Sequence, residues 1–278
     1  MFVGWLWRKG ENAPMLWKYI CILFPAGILA GIASSVAGLA SLVSYPALLL
    51  VGISPVSANV TNTAALIFTA VGSGVASKRE LRGHSRELLK LLPLTIGGSL
   101  CGGMLLLAAP ATSFEHIVPF FIFGAALLIL WPELPHSRPM KPSRAVGTES
   151  LLRRRVTAAA VSTAIFLVGA YTGYFGAAGG VVMLAILAAT SHLEFAEYNA
   201  LKNVSLGTSN FVAAVLFAFR AHIYWLAVLP LAAGFFVGGF IGPHIVRRVP
   251  SRLLKFVIAA GATGLAAFLF IQTYFGRN

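Results

Sequence analysis

Long stretches without a charged residue are the most constraining feature of this chain. Residues 19–77 contain no Lys, Arg, Asp or Glu, and neither do residues 156–193. A helix needs about 20 apolar residues to cross a bilayer, so the first stretch has room for three such helices and the second for two. Shorter uncharged stretches cover residues 91–114, 116–132, 203–219, 221–246 and 256–276. The pattern predicts an all-α polytopic membrane protein with about ten helical segments.

Composition supports this class and argues against others. Only 10% of the residues are charged, against about 25% in soluble domains. The net charge of +13 comes from basic residues that flank apolar stretches, as the positive-inside rule expects, so nucleic acid is not an expected partner. Cys21 and Cys101 lie in apolar stretches and are expected to pack, without a disulfide or a metal. No metal-ligand cluster or catalytic triad occurs, so we expect neither an enzyme nor a cofactor.

The chain also repeats itself. Gly31 pairs with Gly169 at an offset of 138, and Asn62 pairs with Asn203 at an offset of 141. Further pairs are Gly38 with Gly176, Gly97 with Gly234, and Gly102 with Gly239. Order and spacing predict a duplication with about five segments per half. The predicted parts are an N-terminal segment 1–18, membrane repeat 19–131, a Pro- and Arg-rich cytoplasmic linker 132–155, and membrane repeat 156–275.

The second segment of each half, 39–52 and 179–191, is short, which leaves two topologies open. If these segments cross, the halves are inverted repeats; if they dip in and return, the halves are parallel repeats. Basic clusters occupy 78–90 in the first half and 247–255 in the second, at non-equivalent loops. Inverted repeats predict this swap, with both termini outside, whereas parallel repeats would place 247–255 outside. The charge pattern favours inverted repeats.

Each short segment follows a stretch rich in small residues, SSVAGLAS at 34–41 and GYFGAAGG at 173–180. Glycine weakens a helix, and a matched pair of broken helices is the best sequence indicator of a midplane transport site. The amide groups at the start of each short helix would attract an anion. Small residues also let membrane helices pack closely, which is the preferred interpretation of the GxxxG pairs Gly27/Gly31, Gly98/Gly102, Gly169/Gly173 and Gly238/Gly242.

Polar clusters open the third segment of each half, at 59–63 and 202–205. They are candidates for binding or for ordinary helix capping, and Lys202 either serves the site or extends its amine towards the interface. The chain has no Asp, and its glutamates lie in loops or at segment ends, which argues against a cation substrate. Glu194 and Glu197 are the candidates for a proton carrier. The predicted substrate-binding residues are Gly38, Ser41, Ser44, Tyr45, Thr61, Asn62, Tyr174, Gly176, Gly179, Gly180, Lys202, Asn203 and Ser205.

The repeated order of glycine-rich break, short apolar segment and small-polar cluster resembles the sulfite exporter TauE/SafE family, also called the toluene sulfonate uptake permease family. The glycine run of the family maps to Gly38, Ala40 and Ser41 in one half, and to Gly176, Gly179 and Gly180 in the other. The proline that follows is Pro46, with Leu184 in its place in the second half. The alanine-to-threonine-serine element maps to Ala58, Thr61 and Asn62, and to Ala200, Asn203 and Val204, where Asn62 and Val204 depart from serine.

The resemblance implies an inner-membrane transporter of sulfite, sulfonates or other small organosulfur anions. Together with the matched breaks, it predicts a secondary transporter in which the halves rock about a midplane anion site. The expected partners are the small anion, membrane lipid and a second copy of the chain. The alternative is a non-transporting membrane scaffold that uses the basic segments 78–90 and 138–155.

Overall fold

The computed structural model describes residues 13–109, 151–175, 179–248 and 270–271, and every regular element within them is helical. The helices are α1 Ala13–Ala37, α2 Ser41–Leu50, α3 Pro55–Ala76, α4 Lys78–Leu81, α5 Ser85–Ala108, α6 Leu151–Tyr174, α7 Gly179–Thr190, α8 Phe195–Arg220 and α9 Trp225–Val246. The predicted segment at 114–131, and that at 253–275 except residues 270–271, lie outside this part of the chain.

Helix length and polarity agree with the membrane class. Within the described residues, four helices are long and apolar enough to cross a bilayer, namely those in α1, α5, α6 and α9. The 10-residue α2 and 12-residue α7 are about 15 and 18 Å long, about half the thickness of a hydrocarbon core of about 30 Å, so neither helix spans it without its flanking residues. The short second segments predicted from sequence are therefore confirmed. Helices α3 and α8 have the length of a span but bury a row of Asn, Ser and Thr side chains.

Local sequence explains where these helices begin and end. Pro55 opens α3 at a position where a helix has an amide without a partner, and α2 is preceded by Gly38 with a φ of +77°. Glycine is the residue that takes this left-handed conformation without strain. Helix α1 begins at Ala13, within the expected N-terminal segment, and α6 begins at Leu151, within the expected linker.

The helices form two bundles that mix the halves of the sequence. Helix α1 packs most extensively on α9, and α9 also packs on α3; we call α1–α3 with α9 the first bundle. Helix α5 packs on α6 and α8; we call α5–α8 the second bundle. Helices α3 and α8 contact each other and join the two bundles. Each half therefore gives one long helix, α5 or α9, to the bundle of the other half.

Helices α1 and α9, and likewise α5 and α6, pack closely along rows of glycines. We call these rows glycine seams: Gly27, Gly31 and Gly238 lie between α1 and α9, and Gly98, Gly102 and Gly169 lie between α5 and α6. A Cβ added to Gly31 would lie 2.8 Å from the backbone oxygen of Phe235, and one added to Gly169 would lie 2.6 Å from that of Thr95. Gly98 and Gly238 are equally closed off by backbone atoms of the facing helix. The GxxxG pairs therefore serve close helix packing, as the sequence predicts.

The same contacts give the helix directions. Going along α1 from Gly27 to Gly31 to Ser35, the facing residues of α9 run from Leu231 to Gly242, so the two helices are parallel. Along α3, Ala70 faces Gly207 and Gly74 faces Val204 of α8. These two helices, which the predicted duplication treats as equivalent, are antiparallel.

Candidate functional site

The two glycine-rich breaks meet at the centre of the described structure. A Cβ on Gly38 would collide with the Cα of Gly180 and lie 2.7 Å from its carbonyl carbon. The backbones of the two breaks are therefore in direct contact, as the matched pair in the sequence predicts. Gly176, which pairs with Gly38 in the duplication, lies outside the described residues.

Side chains in and beside the polar clusters at 59–63 and 202–205 cap the broken helix of the opposite half. Asn199 and Asn203 each donate from Nδ2 to the backbone oxygen of Ser35, at 2.8 and 3.1 Å. Lys202 Nζ donates to the backbone oxygen of Ser34 at 3.0 Å. The last turn of a helix leaves carbonyls short of intrahelical partners, and the carbonyl of Ser34 accepts from the amide of Gly38 as well as from Lys202, so these side chains add to the contacts that stabilise the end of α1.

The reciprocal contact caps the other break. Asn59 Nδ2 donates to the backbone oxygen of Tyr174, at the last residue of α6, at 2.9 Å. A side chain of α3, in the first half, thus caps the C-terminal end of α6 in the second half. Side chains of α8, in the second half, cap the C-terminal end of α1 in the first. The polar clusters were expected either to bind a ligand or to cap the start of their own helices; Asn59 and Asn203 instead lie inside α3 and α8 and cap the C-terminal end of a helix of the opposite half.

The amides at the start of α2 are less available than expected. Those of Gly38 and Leu39 donate to carbonyls of α1, at 2.6 and 3.3 Å. Those of Leu42, Val43 and Ser44 donate to the carbonyls of Leu39 and Ala40. A tight turn at 38–41 therefore satisfies most of the donors that the sequence suggested for an anion.

Most of the predicted hydroxyl ligands take part in structural contacts. Ser41 Oγ accepts from Asn62 Nδ2 at 3.1 Å, and Thr61 Oγ1 accepts from the amide of Tyr224 at 3.1 Å. Two further hydroxyls bond within their own helix: Ser44 donates to the oxygen of Ala40, and Ser205 to that of Lys202.

The predicted aromatic residues and Gly179 also lie in packed surroundings. The Tyr45 ring is buried edge-to-face against Phe175, with centroids 5.6 Å apart. Tyr174 contributes the backbone oxygen that Asn59 caps. Gly179 is buried against the side chain of Thr172.

A cavity of about 40 Å³ lies where the two bundles meet. Each bundle gives seven of its lining residues: Ser34, Gly38, Ala40, Leu66, Thr69, Ala70 and Ser73 from the first, and Thr172, Gly180, Lys202, Asn203, Leu206, Gly207 and Asn210 from the second. Four of these were predicted, namely Gly38, Gly180, Lys202 and Asn203. The others were missed, although the offsets of 138 and 141 already pair Ser34 with Thr172, Leu66 with Gly207, and Thr69 with Asn210.

The cavity has one charged lining residue among those described. The side chain of Lys202 is 1% exposed, and no carboxylate lines the space around it. Glu194 and Glu197, the candidate proton carriers, form a capping box at the start of α8, and Glu197 lies 3.5 Å from His84. They stabilise a helix end and a loop rather than line the cavity.

One end of the bundle brings the two basic clusters together. Arg247, just after α9, donates to Glu80 of α4 from Nε at 2.8 Å and from Nη2 at 2.6 Å. Its Nη2 also donates to the backbone oxygen of Ala76 at the end of α3. Residues 78–90 and the start of 247–255 therefore lie at the same end of the molecule.

Comparison with known proteins identifies the family. A family model described as sulfite exporter TauE/SafE matches residues 23–269, nearly the whole chain. The chain belongs to the sulfite exporter TauE/SafE family. A TauE/SafE chain with several apolar helices is an integral membrane protein of a transporter family, which confirms the resemblance noted in the sequence.

Individual relatives of this TauE/SafE protein carry transporter names. It is 27% identical to "Probable membrane transporter protein ORF9" of a Sinorhizobium species, over 89% of this chain and 90% of that protein. It is 25% identical to "Probable membrane transporter protein YfcA" of Escherichia coli K12, over 91% and 90%. A Haemophilus influenzae "Probable membrane transporter protein" is also 25% identical, over 85% and 88%. No solved structure matches the chain.

Proposed function

We propose that this protein is a secondary transporter that carries a small anion through the cavity between its two bundles. The observation that supports this most directly is Lys202, a buried ammonium group that lines the cavity with no lining carboxylate. A buried charge without a countercharge is costly, and its hydrogen bond to the carbonyl of Ser34 supplies a partial charge only. An anion in the cavity would provide the missing countercharge.

The chemical class of the anion follows from the family. The matching model is described as a sulfite exporter, whereas the individual relatives are named only as membrane transporters. Sulfite or a small sulfonate is therefore the substrate that we propose, with the bacterial inner membrane as the location.

We also propose that the two halves are inverted repeats. The antiparallel contact of α3 with α8 supports this arrangement, because equivalent helices of inverted repeats run in opposite directions. The pairing of Arg247 with Glu80 supports it too, since parallel repeats would separate the two basic clusters by the thickness of the membrane.

The inverted arrangement is tested by labelling single cysteines from each side of the membrane. The background variant lacks the native thiols, through Cys21→Ala and Cys101→Ala, both of which are exposed in the structure. Cysteines at the exposed positions Arg86 and Arg248 should react from the same, cytoplasmic side. Labelling of the Arg248 position only from outside would refute inverted repeats.

Alternating access in this fold would move the mixed bundles rather than the two halves of the sequence. The glycine seams lock α9 onto α1 and α5 onto α6, whereas the cavity lies between α3 and α8. We therefore expect the first bundle to rock against the second, with the cavity opening to each side in turn.

Transport is tested with purified protein in liposomes and radiolabelled sulfite. Lys202→Met keeps the length of the side chain but removes its charge, and should lower uptake at least tenfold, since hydrogen bonds to charged groups are worth about 1.5–3 kcal/mol. Lys78→Gln, at an exposed position of α4, is the matched control and should transport normally. Thermal unfolding in detergent verifies that each variant is folded.

Two outcomes would contradict the proposal. Normal sulfite uptake by folded Lys202→Met would remove Lys202 from the site. No flux of sulfite, sulfonates or related anions with the unmodified protein would favour the scaffold role for its basic segments.

A further inference from the structure

One side chain that lines the cavity has a buried polar atom without a hydrogen-bond partner. Thr69 is 3% exposed, and its Oγ1 has no hydrogen-bond partner among the described residues. Asn210 is 7% exposed and lines the same cavity from α8. Buried polar groups are nearly always paired. Five buried side-chain atoms of the described residues have no partner, and among these Thr69 Oγ1 is the one that lines the cavity, which requires an explanation.

Several neighbouring hydroxyls form hydrogen bonds with carbonyls of their own helix. Ser73 donates to the carbonyl of Ala70, and Thr172 to that of Val168 at 2.7 Å. Thr63, which lies on α3 about two turns before Thr69, donates to the carbonyl of Asn59 at 2.9 Å. A hydroxyl in these helices can thus donate a hydrogen bond to a carbonyl of its own helix. The hydroxyl of Thr69 forms no such bond.

Thr69 and Asn210 approach the cavity from opposite bundles. The repeat offset of 141 makes them equivalent residues of the two halves. They lie on α3 and α8, and these helices are in contact at Ala70 and Gly207. A hydroxyl and an amide can each donate to or accept from an oxygen atom. A ligand with oxygens in several directions could therefore contact both bundles at once, together with the Lys202 ammonium.

The charge of the cavity sets the charge of that ligand. Lys202 is the one basic side chain among the described residues that line the cavity, no carboxylate lies among them, and a protonated Lys202 gives the site a single positive charge. A monoanion, such as a sulfonate or the hydrogensulfite form of sulfite, neutralises it, whereas a dianion leaves one uncompensated negative charge in a low-dielectric interior, which is costly.

The size of the cavity sets the size of the ligand. A water molecule needs roughly 10–15 Å³ measured in this way, so about 40 Å³ holds about three waters. That space suits one small oxyanion and is smaller than toluenesulfonate requires.

We propose that Thr69 and Asn210 are specificity-determining residues which, with Lys202, select singly charged oxyanions about the size of methanesulfonate. This inference rests on the proposed transport function, whose site it specifies. It predicts that methanesulfonate binds, that sulfate, a dianion of similar size, binds poorly, and that toluenesulfonate is too large.

The experiment measures inhibition of sulfite uptake in proteoliposomes by each of these three anions. Methanesulfonate should inhibit, and sulfate and toluenesulfonate should need at least tenfold higher concentrations. Thr69→Val, which replaces the hydroxyl by a methyl group, should weaken inhibition by methanesulfonate about tenfold, as should Asn210→Leu. Thr63→Val is the control on the same helix and should change it less than twofold. Thr69→Ser keeps the hydroxyl and should retain inhibition, which separates a lost contact from misfolding.

The outcomes distinguish this inference from the proposed function. If Thr69→Val and Asn210→Leu respond to methanesulfonate like the unmodified protein while Lys202→Met does not transport, the role of the two residues is overturned and the transport site stands. Equal inhibition by sulfate and methanesulfonate overturns the selection by charge. If the unmodified protein transports neither sulfite nor methanesulfonate, both proposals fail.

Discussion

The contact between the two helix breaks makes Gly38→Ala a quantitative test of the fold. The φ of +77° at Gly38 would cost an alanine about 1–2 kcal/mol. Its Cβ would also lie 2.7 Å from the carbonyl carbon of Gly180, closer than real Cβ contacts come, and overpacking of this kind costs about 1–3 kcal/mol. The expected total is about 2–5 kcal/mol of unfolding free energy.

Two further glycines separate the strain from the collision. Gly52 has a φ of +92° and nothing within 4 Å of an added Cβ, so Gly52→Ala carries the backbone strain alone. Gly180→Ala carries the collision with Gly38 without a positive φ. The loss in Gly38→Ala should therefore approach the sum of the losses in the other two variants.

Thermal unfolding of detergent-purified protein is the assay. With about 2–4 °C per kcal/mol for a chain of this size, Gly52→Ala should lower Tm by a few degrees, and Gly38→Ala by two to three times as much. The double variant Gly38→Ala/Gly180→Ala should lose less than the sum of its single variants, because they disturb one shared contact. A Tm for Gly38→Ala equal to that of Gly52→Ala would mean that the breaks do not touch.

Other predictions concern the caps and the ion pair. Asn203→Ala leaves Asn199 on the same carbonyl and should cost about 1 kcal/mol, whereas removing both amides should cost about 1–3 kcal/mol by thermal unfolding. Asn59→Ala removes the described cap of α6 and should resemble that double variant; a loss like that of Asn203→Ala would contradict its role. A double-mutant cycle on the partly exposed Glu80 and Arg247 should give a coupling of about 0.5–1 kcal/mol that falls at high salt, and no salt dependence would argue against an ion pair.

Sequence patterns predicted the parts of the fold that depend on repetition. The pairing of Asn62 with Asn203, and the small residues before each short segment, located the two breaks and the short helices α2 and α7. These features are visible because polarity and glycine content are local properties of the chain.

The roles of the polar residues were harder to predict. Asn59 and Asn199 bind backbone carbonyls of the opposite half, and a carbonyl is present in every residue, so it leaves no signature in the sequence. Thr69 could have been found, because the offset of 141 pairs it with Asn210, but it does not belong to a polar cluster at a helix start.

The register of the glycine seams shows another limit. Sequence pairing of Gly97 with Gly234 implied an offset of 137 for α5 and α9. The contacts instead make Gly98 equivalent to Gly238, and Gly102 to Gly242, at an offset of 140. Where glycines recur every few residues, several alignments of the two halves match equally well. The contacts with the facing helix show which alignment is correct.

The exchange of α5 and α9 between the bundles has a consequence for biogenesis. Chains fold from the N-terminus as they are synthesised, so α1 enters the membrane long before α9 leaves the ribosome. During that interval Gly27 and Gly31 have no helix to pack on, because their partner seam lies on α9. The second bundle, α5–α8, is contiguous in the chain and can assemble as soon as α8 is inserted. The first bundle is thus completed last. A nascent chain that stops before α9 leaves Gly27 and Gly31 exposed to lipids and to membrane quality control.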